Sequence, residues 1–283
     1  MDYKNCSEVE QSYIHQAFLN GFSDYSVPMN IPLDLFVKRF FGPEGNSVEN
    51  SFIAFQDDEP VGLVLGGIRE FDGYKNLRCG ALCVTPEYRG ADVGKELFRL
   101  FAEQGISQSC ERISLEVISD NIRAICFYEK QGFIKNNKLI YFSHSLAGGQ
   151  IKDYSIDGLL MNEVNLSIAV KVRESISTTH INWQNEVDYF QLDSTAHCFA
   201  AYAGERFLGT LVLNEEGKIY FLYTEEGERQ KGVASSLLSY AISKLDLQKL
   251  NINMPDNIDM TEFLHKTGFT KEKIEQFEMI KVI

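Results

Sequence analysis

The sequence predicts an α/β protein made of two copies of one fold, and three observations carry that expectation. Apolar runs of strand length alternate with segments of helical period along most of the chain. A stretch running from Leu82 through Arg89 and Gly94 to Leu97 recurs from Leu222 through Arg229 and Ala234 to Leu237, with an offset of 140 residues throughout. Asn121 and the pair Gly132-Phe133 recur as Asn257 and Gly268-Phe269, each offset by 136. Two anchors holding nearly one offset in 283 residues make each copy about half the chain. The small-residue patch at 145–149 sets the join, giving domains 1–146 and 147–283.

In the first copy, residues 9–22 have helical spacing, with Tyr13, Ala17, Phe18 and Phe22 on one side. Residues 33–41 read as a second helix after Pro32. The runs 51–56 and 61–71 are strands split by the turn Asp57-Asp58-Glu59-Pro60, and Asp72-Gly73 turns the chain into a strand at 77–84. Val93, Leu97, Leu100 and Phe101 make a helix face that Gly105 is expected to close. Residues 113–118 form a short strand. Residues 121–131 are a helix with Gly132 just past its end, and 133–143 supply one or two strands. The second copy repeats this ending. Strands at 198–202 and 207–213 flank Gly204-Glu205-Arg206, and a strand at 219–224 leads into a helix carrying Ala234, Leu237, Leu238, Ala241 and Leu245. A strand at 250–254, a helix from Asn257 and the run 269–283 complete it. The opening, 151–193, shows no clear period.

Composition narrows the function classes. With 44% apolar and 24% charged residues, the chain is globular, not disordered or fibrous. The net charge is −13, and both copies share it. Residues 1–149 carry 14 basic and 20 acidic side chains, and 150–283 carry 13 and 20. That field opposes non-specific nucleic-acid binding, suits amine-bearing substrates, and must be overcome locally by any anionic ligand. The six cysteines form no Cys-x-x-Cys and accompany no His pair at ligand spacing, so no metal is expected. They read as reduced, buried thiols of a cytoplasmic protein. The first residues lack the pattern of a signal peptide, and no run approaches the ~18 apolar residues of a membrane span.

The informative segment is the junction of strand and helix at Arg89-Gly90-Ala91-Asp92-Val93-Gly94. An apolar strand entering a small-residue loop and then an amphipathic helix aims several N–H groups at one point. With the helix dipole behind them, they suit a phosphate or pyrophosphate. The glycine spacing fits neither a dinucleotide fingerprint nor a P-loop. The segment resembles the cofactor loop of the GNAT superfamily of N-acetyltransferases, Gln/Arg-x-x-Gly-x-Gly/Ala. Arg229-Gln230-Lys231-Gly232-Val233-Ala234 fits that pattern in full, and the first loop departs from it only at Asp92. The family's later motif resembles the segment from Asn121 through Ala124 and Phe127-Tyr128 to Gly132-Phe133.

The resemblance implies two tandem GNAT folds, each a mixed, mostly antiparallel sheet flanked by helices, with a splayed cleft for acetyl-CoA. It implies that Leu82, Cys83 and Val84 face the pantetheine. Gly90, Ala91, Asp92, Val93, Gly94 and Lys95, with Arg89 and Asn121, would hold the rest of the cofactor. In the second copy the matching positions are Leu222, Tyr223, Thr224, Arg229, Gln230, Lys231, Gly232, Val233 and Ala234. It further implies transfer of an acetyl group to a primary amine of a small molecule or peptide by direct attack, with Tyr128 as general acid. A phenol near ~10 facing a thiol near ~8.5 is a reasonable donor. The strand 77–85 holds no carboxylate, so Glu116 on the next strand is the candidate base. The second copy has Leu264 at the tyrosine position and His265 beside it, so the first copy is expected to be the enzyme.

The first two helices would wall the acceptor pocket with Phe18, Phe22, Asp24, Tyr25 and Phe36. Residues 22–28 resemble a run found in some bacterial members. Two other readings compete. One is a non-catalytic acyl-CoA-binding or sensor protein, and the other makes the second copy only a packing module that supports a homodimer.

Overall fold

The computed structural model describes residues 1–25, 27–149, 151, 156 and 158–283. Ser26, within the run 22–28, lies outside the described residues, as does part of the opening 151–193. The chain forms two compact units. Unit 1 comprises Met1–Val117, Asn121–Asn136 and Phe277–Ile283, and unit 2 comprises Ile118–Asp120 and Asn137–Gln276.

Unit 1 opens with a strand absent from the sequence reading, β1 (Asp2–Asn5). Two helices follow, α1 (Gln11–Gly21) and α2 (Leu33–Phe40). Then come the antiparallel strands β2 (Ser47–Gln56), β3 (Glu59–Phe71) and β4 (Tyr74–Val84). Helix α3 (Val93–Ser107), strand β5 (Arg112–Ile118) and helix α4 (Ile122–Lys130) complete the motif. The expected stop at Gly105 is not used. Helix α3 runs through it, because the missing side chain is filled by Leu77, whose Cδ2 would lie 2.9 Å from a Cβ there. One apolar cluster lies between the strands and α1 and α2, with Phe18, Phe36, Phe40, Ile53 and Leu63 fully or nearly fully buried. The other lies against α3 and α4, with Leu77, Leu97, Phe101, Ile113 and Met279.

Strand β4 changes parity at Gly80. Leu77 and Cys79 belong to the α3 and α4 cluster, whereas beyond Gly80 the odd residues Ala81 and Cys83 face α1 and α2. The register shows the cause: Leu65 opposes Ala81 and Gly66 opposes Cys79, so Gly80 is an extra residue, a β-bulge.

Neighbouring β3 passes very close to the chain after α2, since a Cβ on Gly67 would fall 1.8 Å from the Gly45 carbonyl oxygen. Gly67→Ala is therefore expected to destabilise the protein by at least ~1–3 kcal/mol, read from thermal or denaturant unfolding.

Unit 2 contains the sheet β10-β9-β8-β7, built from β7 (Leu159–Val164), β8 (Ala196–Ala203), β9 (Arg206–Asn214) and β10 (Ile219–Thr224). Helices α5 (Ser167–Ser175) and α6 (Val187–Phe190) occupy the opening that lacked a period. Helix α7 (Val233–Leu245), β11 (Lys249–Pro255) and α8 (Ile258–Lys266) repeat the order of unit 1. Its core gathers Phe199, Leu211, Leu237, Leu238, Leu250 and Phe269.

Each unit is completed by a strand from the other half of the sequence. Strand β6 (Ile134–Ser145) enters unit 2 from Asn137 onward and pairs antiparallel with β11. Strand β12 (Thr270–Val282) returns its last residues to unit 1, where the Ile283 N–H donates to the Glu111 carbonyl at 3.0 Å and Met279 is fully buried. A cut between Leu146 and Ala147 would strip unit 1 of this strand and bare β5. Fragment 1–146 is expected to aggregate or melt well below the full chain. Recovery of full thermal stability on mixing it with 147–283 would be read in the same melt.

Candidate active site

In unit 1, β4 and β5 run parallel and pair only from Asn76 to Cys79 against Arg112 to Leu115, yet they continue to Val84 and Ile118. They part at the bulge, and the parting opens a cleft. The Thr85 N–H donates to the Val61 carbonyl, which marks 61 and 85 as a hydrogen-bonded pair. By alternation Cys83 turns its backbone to β3, while Leu82 and Val84 turn theirs to the cleft. Of the three residues expected to meet pantetheine, then, Leu82 and Val84 offer backbone groups. The Cys83 thiol faces α1, 3.7 Å from the Ala17 carbonyl oxygen.

The loop after β4 takes the left-handed backbone at two positions. Gly90 and Asp92 both take positive φ, 87° and 59°, and Asp92 is the residue before α3. The second loop does the same with Gln230 at 62° and Gly232 at 93°. The two loops thus share one backbone, and each tolerates one non-glycine in the left-handed region, where aspartate is among the better-suited residues. N–H groups of Gly90 through Lys95 donate to no acceptor among the described residues, which leaves them directed at solvent above the helix N-terminus. Lys95 is an exposed first-turn side chain.

Arg89 is placed differently from the rest of its loop. Its Nε donates to the Val84 carbonyl at 2.8 Å, and Nη2 donates to the Gly21 carbonyl at 3.1 Å. Both terminal nitrogens meet Asp24 at 2.6 Å. The guanidinium therefore ties the end of α1 to the end of β4, leaving only backbone from this residue for a ligand. Asp24 is engaged in the same fork, which holds its carboxyl below the usual range. Phe36 is fully buried and stacks within 4.9–5.2 Å of His15, Phe18 and Phe40, so it is helical core and not pocket lining. Phe22 packs edge-on against Tyr25, which lies beside Asn121. The Asn121 Oδ1 in turn accepts from the Ala124 N–H at 3.1 Å and caps α4.

Tyr128 points from α4 to the apex of the cleft. Its ring lies 5.4–6.4 Å from those of Phe98, Phe127 and Phe133, and its hydroxyl lies beside the Cys79 thiol. Burial, then the neighbouring Cys79, drives its pKa well above the ordinary phenol range, so it is a proton holder throughout the neutral range. Burial also pushes the Cys79 thiol up to about 12.

Glu116 stands one residue beyond the last paired residue of β5. The side chains of Leu115 and Val117 belong to the α3 and α4 cluster, so Glu116 approaches from the other face of the sheet. It is buried, with Oε2 3.0 Å from Arg78 Nη2, and desolvation raises its pKa. Its Oε1 is buried and has no hydrogen-bond partner among the described residues. A groove of about 350 Å³ runs along the outer face of α3 past Asp92, Lys95 and Arg99, and neither Tyr128 nor Glu116 lines it.

Sequence reasoning missed Cys79, Arg78 and Glu44. Only Arg78 left a signal, as a charge inside an apolar run. Cys126, counted among the buried thiols, is exposed. In unit 2 an isolated parallel bridge joins Lys218, just before β10, to Asn251 of β11, and Leu264 is fully buried where unit 1 has its tyrosine.

A strand pair parting at a bulge beside a glycine-type loop and helix in unit 1, with the same loop and helix repeated in unit 2, defines an acetyltransferase fold of the GNAT class. The chain belongs to that family as a tandem protein. The model of the acetyltransferase (GNAT) family matches residues 14–133, and that of the acetyltransferase (GNAT) domain matches 162–279.

Among curated relatives, N-alpha-acetyltransferase 30 of Dictyostelium discoideum is 27% identical over 111 residues, covering 39% of this chain and 59% of its own length. The uncharacterized N-acetyltransferase YobR of Bacillus subtilis is 31% identical over 83 residues, covering 29% and 32%. The chain thus spans from about a third to just under two-thirds of the length of the curated relatives it matches. Over nearly its whole length it is similar in fold to a GCN5-related N-acetyltransferase from Sphaerobacter thermophilus. That match has a TM-score of 0.75 at 11% identity, covering 99% and 95%. It is also similar to a tandem GNAT protein from the clavulanic acid biosynthesis pathway, with a TM-score of 0.73 at 12% identity, covering 99% and 98%. Among the described residues, no helix is long and apolar enough to cross a membrane.

Proposed function

We propose that unit 1 moves an acetyl group from acetyl-CoA to a primary amine of a small molecule or peptide, by direct attack of the amine on the thioester. The observation that carries this reading is the pair of groups meeting the cleft from opposite faces: a protonated phenol at its apex and a buried carboxylate with one oxygen unengaged. The Leu82 backbone groups and the Val84 N–H suit the amides of pantetheine, and the N–H groups of residues 90–95 suit the pyrophosphate of the cofactor. Tyr128 would give its proton to the departing thiolate. Its raised pKa does not disqualify it. The same burial lifts the adjacent Cys79 thiol to about 12, and a leaving thiol in this cleft meets the same desolvation. Glu116 would take the proton of the amine, directly or through water.

Unit 2 keeps the loop and lacks the acid, so we assign it no chemistry. Leu264 has no proton to give.

Asp92 is exposed and sits at the loop's left-handed position. Asp92→Gly removes a carboxylate beside the pyrophosphate and relieves the backbone. It is expected to tighten acetyl-CoA binding by roughly 2–10-fold in titration calorimetry. Unchanged or weaker binding would place the pyrophosphate elsewhere. Turnover of an amine with acetyl-CoA by the full chain tests the reaction itself.

A further inference from the structure

We propose that Arg78 is a positioning residue that fixes Glu116 in the cleft, and that Glu44 fixes Arg78. This rests on the reading of Glu116 as the proton acceptor. Arg78 lies opposite Ser114 in the last closed steps of the β4 and β5 ladder, and its guanidinium crosses the apex diagonally to Glu116. Its two terminal nitrogens serve two different carboxylates. Nη1 lies 3.1 Å from Glu44 Oε2, and Nη2 lies 3.0 Å from Glu116 Oε2. All three side chains are over nine-tenths buried.

A guanidinium held by Glu44 at Nη1 restrains, through its Nη2 contact, where Oε2 of Glu116 sits. Because Arg78 engages Oε2, the other oxygen, Oε1, is left for a ligand, and it takes no hydrogen bond among the described residues. The anchor is rigid. Glu44 stands in a tight connection between α2 and β2, where its own N–H donates to the Arg39 carbonyl at 3.2 Å and the Asn46 N–H donates to the Phe40 carbonyl at 3.1 Å. Simple pairing of charge would not require this arrangement, since one carboxylate would satisfy one guanidinium. Using Nη2 on Glu116 couples the base to a loop more than 70 residues away in sequence.

The charges that face Glu116 are Arg78 from β4, Glu44 from the connection, and Glu278 from β12, with Arg39 behind Glu44 at 3.6 Å. They give the proposal a signed test. The full chain is labelled with glutamate carrying ¹³C at the side-chain carboxyl, and the Glu116 resonance is assigned by its loss in Glu116→Gln. Its titration midpoint is then followed by NMR. Arg78→Met is expected to raise the midpoint by about one pH unit or more, and Glu44→Gln to lower it. Arg78→Lys keeps the charge but not the fork. It should leave the midpoint near that of the wild type, while kcat for the best amine of an acceptor panel falls at least fivefold with KM little changed.

If Arg78→Met does not fold, Glu44→Gln and Arg78→Lys carry the test. A midpoint that stays put in the charge-changing variants overturns the proposal, as does Arg78→Lys turning over like wild type. Retained turnover in Glu116→Gln would instead overturn the assignment of the base, and the NMR shifts would still report the coupling.

Discussion

Tyr128→Phe is expected to lower kcat for the acceptor amine by about 10²–10³-fold while leaving acetyl-CoA affinity within about twofold. The substitution removes one hydroxyl and little else. The ring stays in contact with Phe98, Phe127 and Phe133, and the lost partner is a thiol, a weak acceptor that is itself satisfied 3.6 Å from the Ala81 carbonyl. Stability should therefore change little, and the loss should appear in kcat. The pH profile adds a sign. A donor must be protonated, and the Tyr128 pKa lies well above the ordinary phenol value, so its ionisation should not cut kcat until beyond ~10. Steady-state kinetics with an identified acceptor reads both. An unchanged kcat would remove Tyr128 from the chemistry.

Glu116→Gln should cost as much or more, on the order of 10²–10⁴-fold in kcat/KM. A base works deprotonated. Burial raises the Glu116 pKa, so the wild-type rate should fall as pH drops through a value above the ordinary glutamate range of ~4.3. In the glutamine variant that acidic limb should vanish along with most of the activity. Arg78 keeps Glu44 as a partner, so the fold is expected to survive. A variant that keeps both its rate and its acidic limb would mean that another group, or solvent, takes the proton.

Much of this architecture was legible because it is local. The loop of unit 1 announced itself through residues 89–94, and the structure adds that Asp92 occupies a left-handed position that glycine fills in the second copy. The helix at 121–131 was legible for the same reason. Its cap, Asn121 accepting from the Ala124 N–H, repeats as Asn257 accepting from the Met260 N–H.

What stayed hidden is non-local. Nothing in the order of residues says that strand β12 completes unit 1, since its hydrophobic pattern suits either partner. The bulge at Gly80 shifts side-chain parity within one apolar run, so alternation alone assigns Cys83 to the wrong face. Arg89 and Asp24 each looked available for a ligand, and only their spatial neighbours show that they are spent on each other. Helices α5 and α6 were missed because they are short and their apolar residues pack on strands that come later in the chain.

The proposed assignment of the chemistry to unit 1 and Tyr128 is decided by incubating the full chain with acetyl-CoA and a panel of primary amines that includes peptides with free α-amino groups. Wild type and Tyr128→Phe are run side by side, with CoA release and acetylated product both measured. The wild type is expected to yield stoichiometric CoA and acetyl-amine, with the variant at least about 10²-fold slower on the same amine. Acetyl-CoA binding without turnover of any amine, or equal turnover by both proteins, would contradict that assignment.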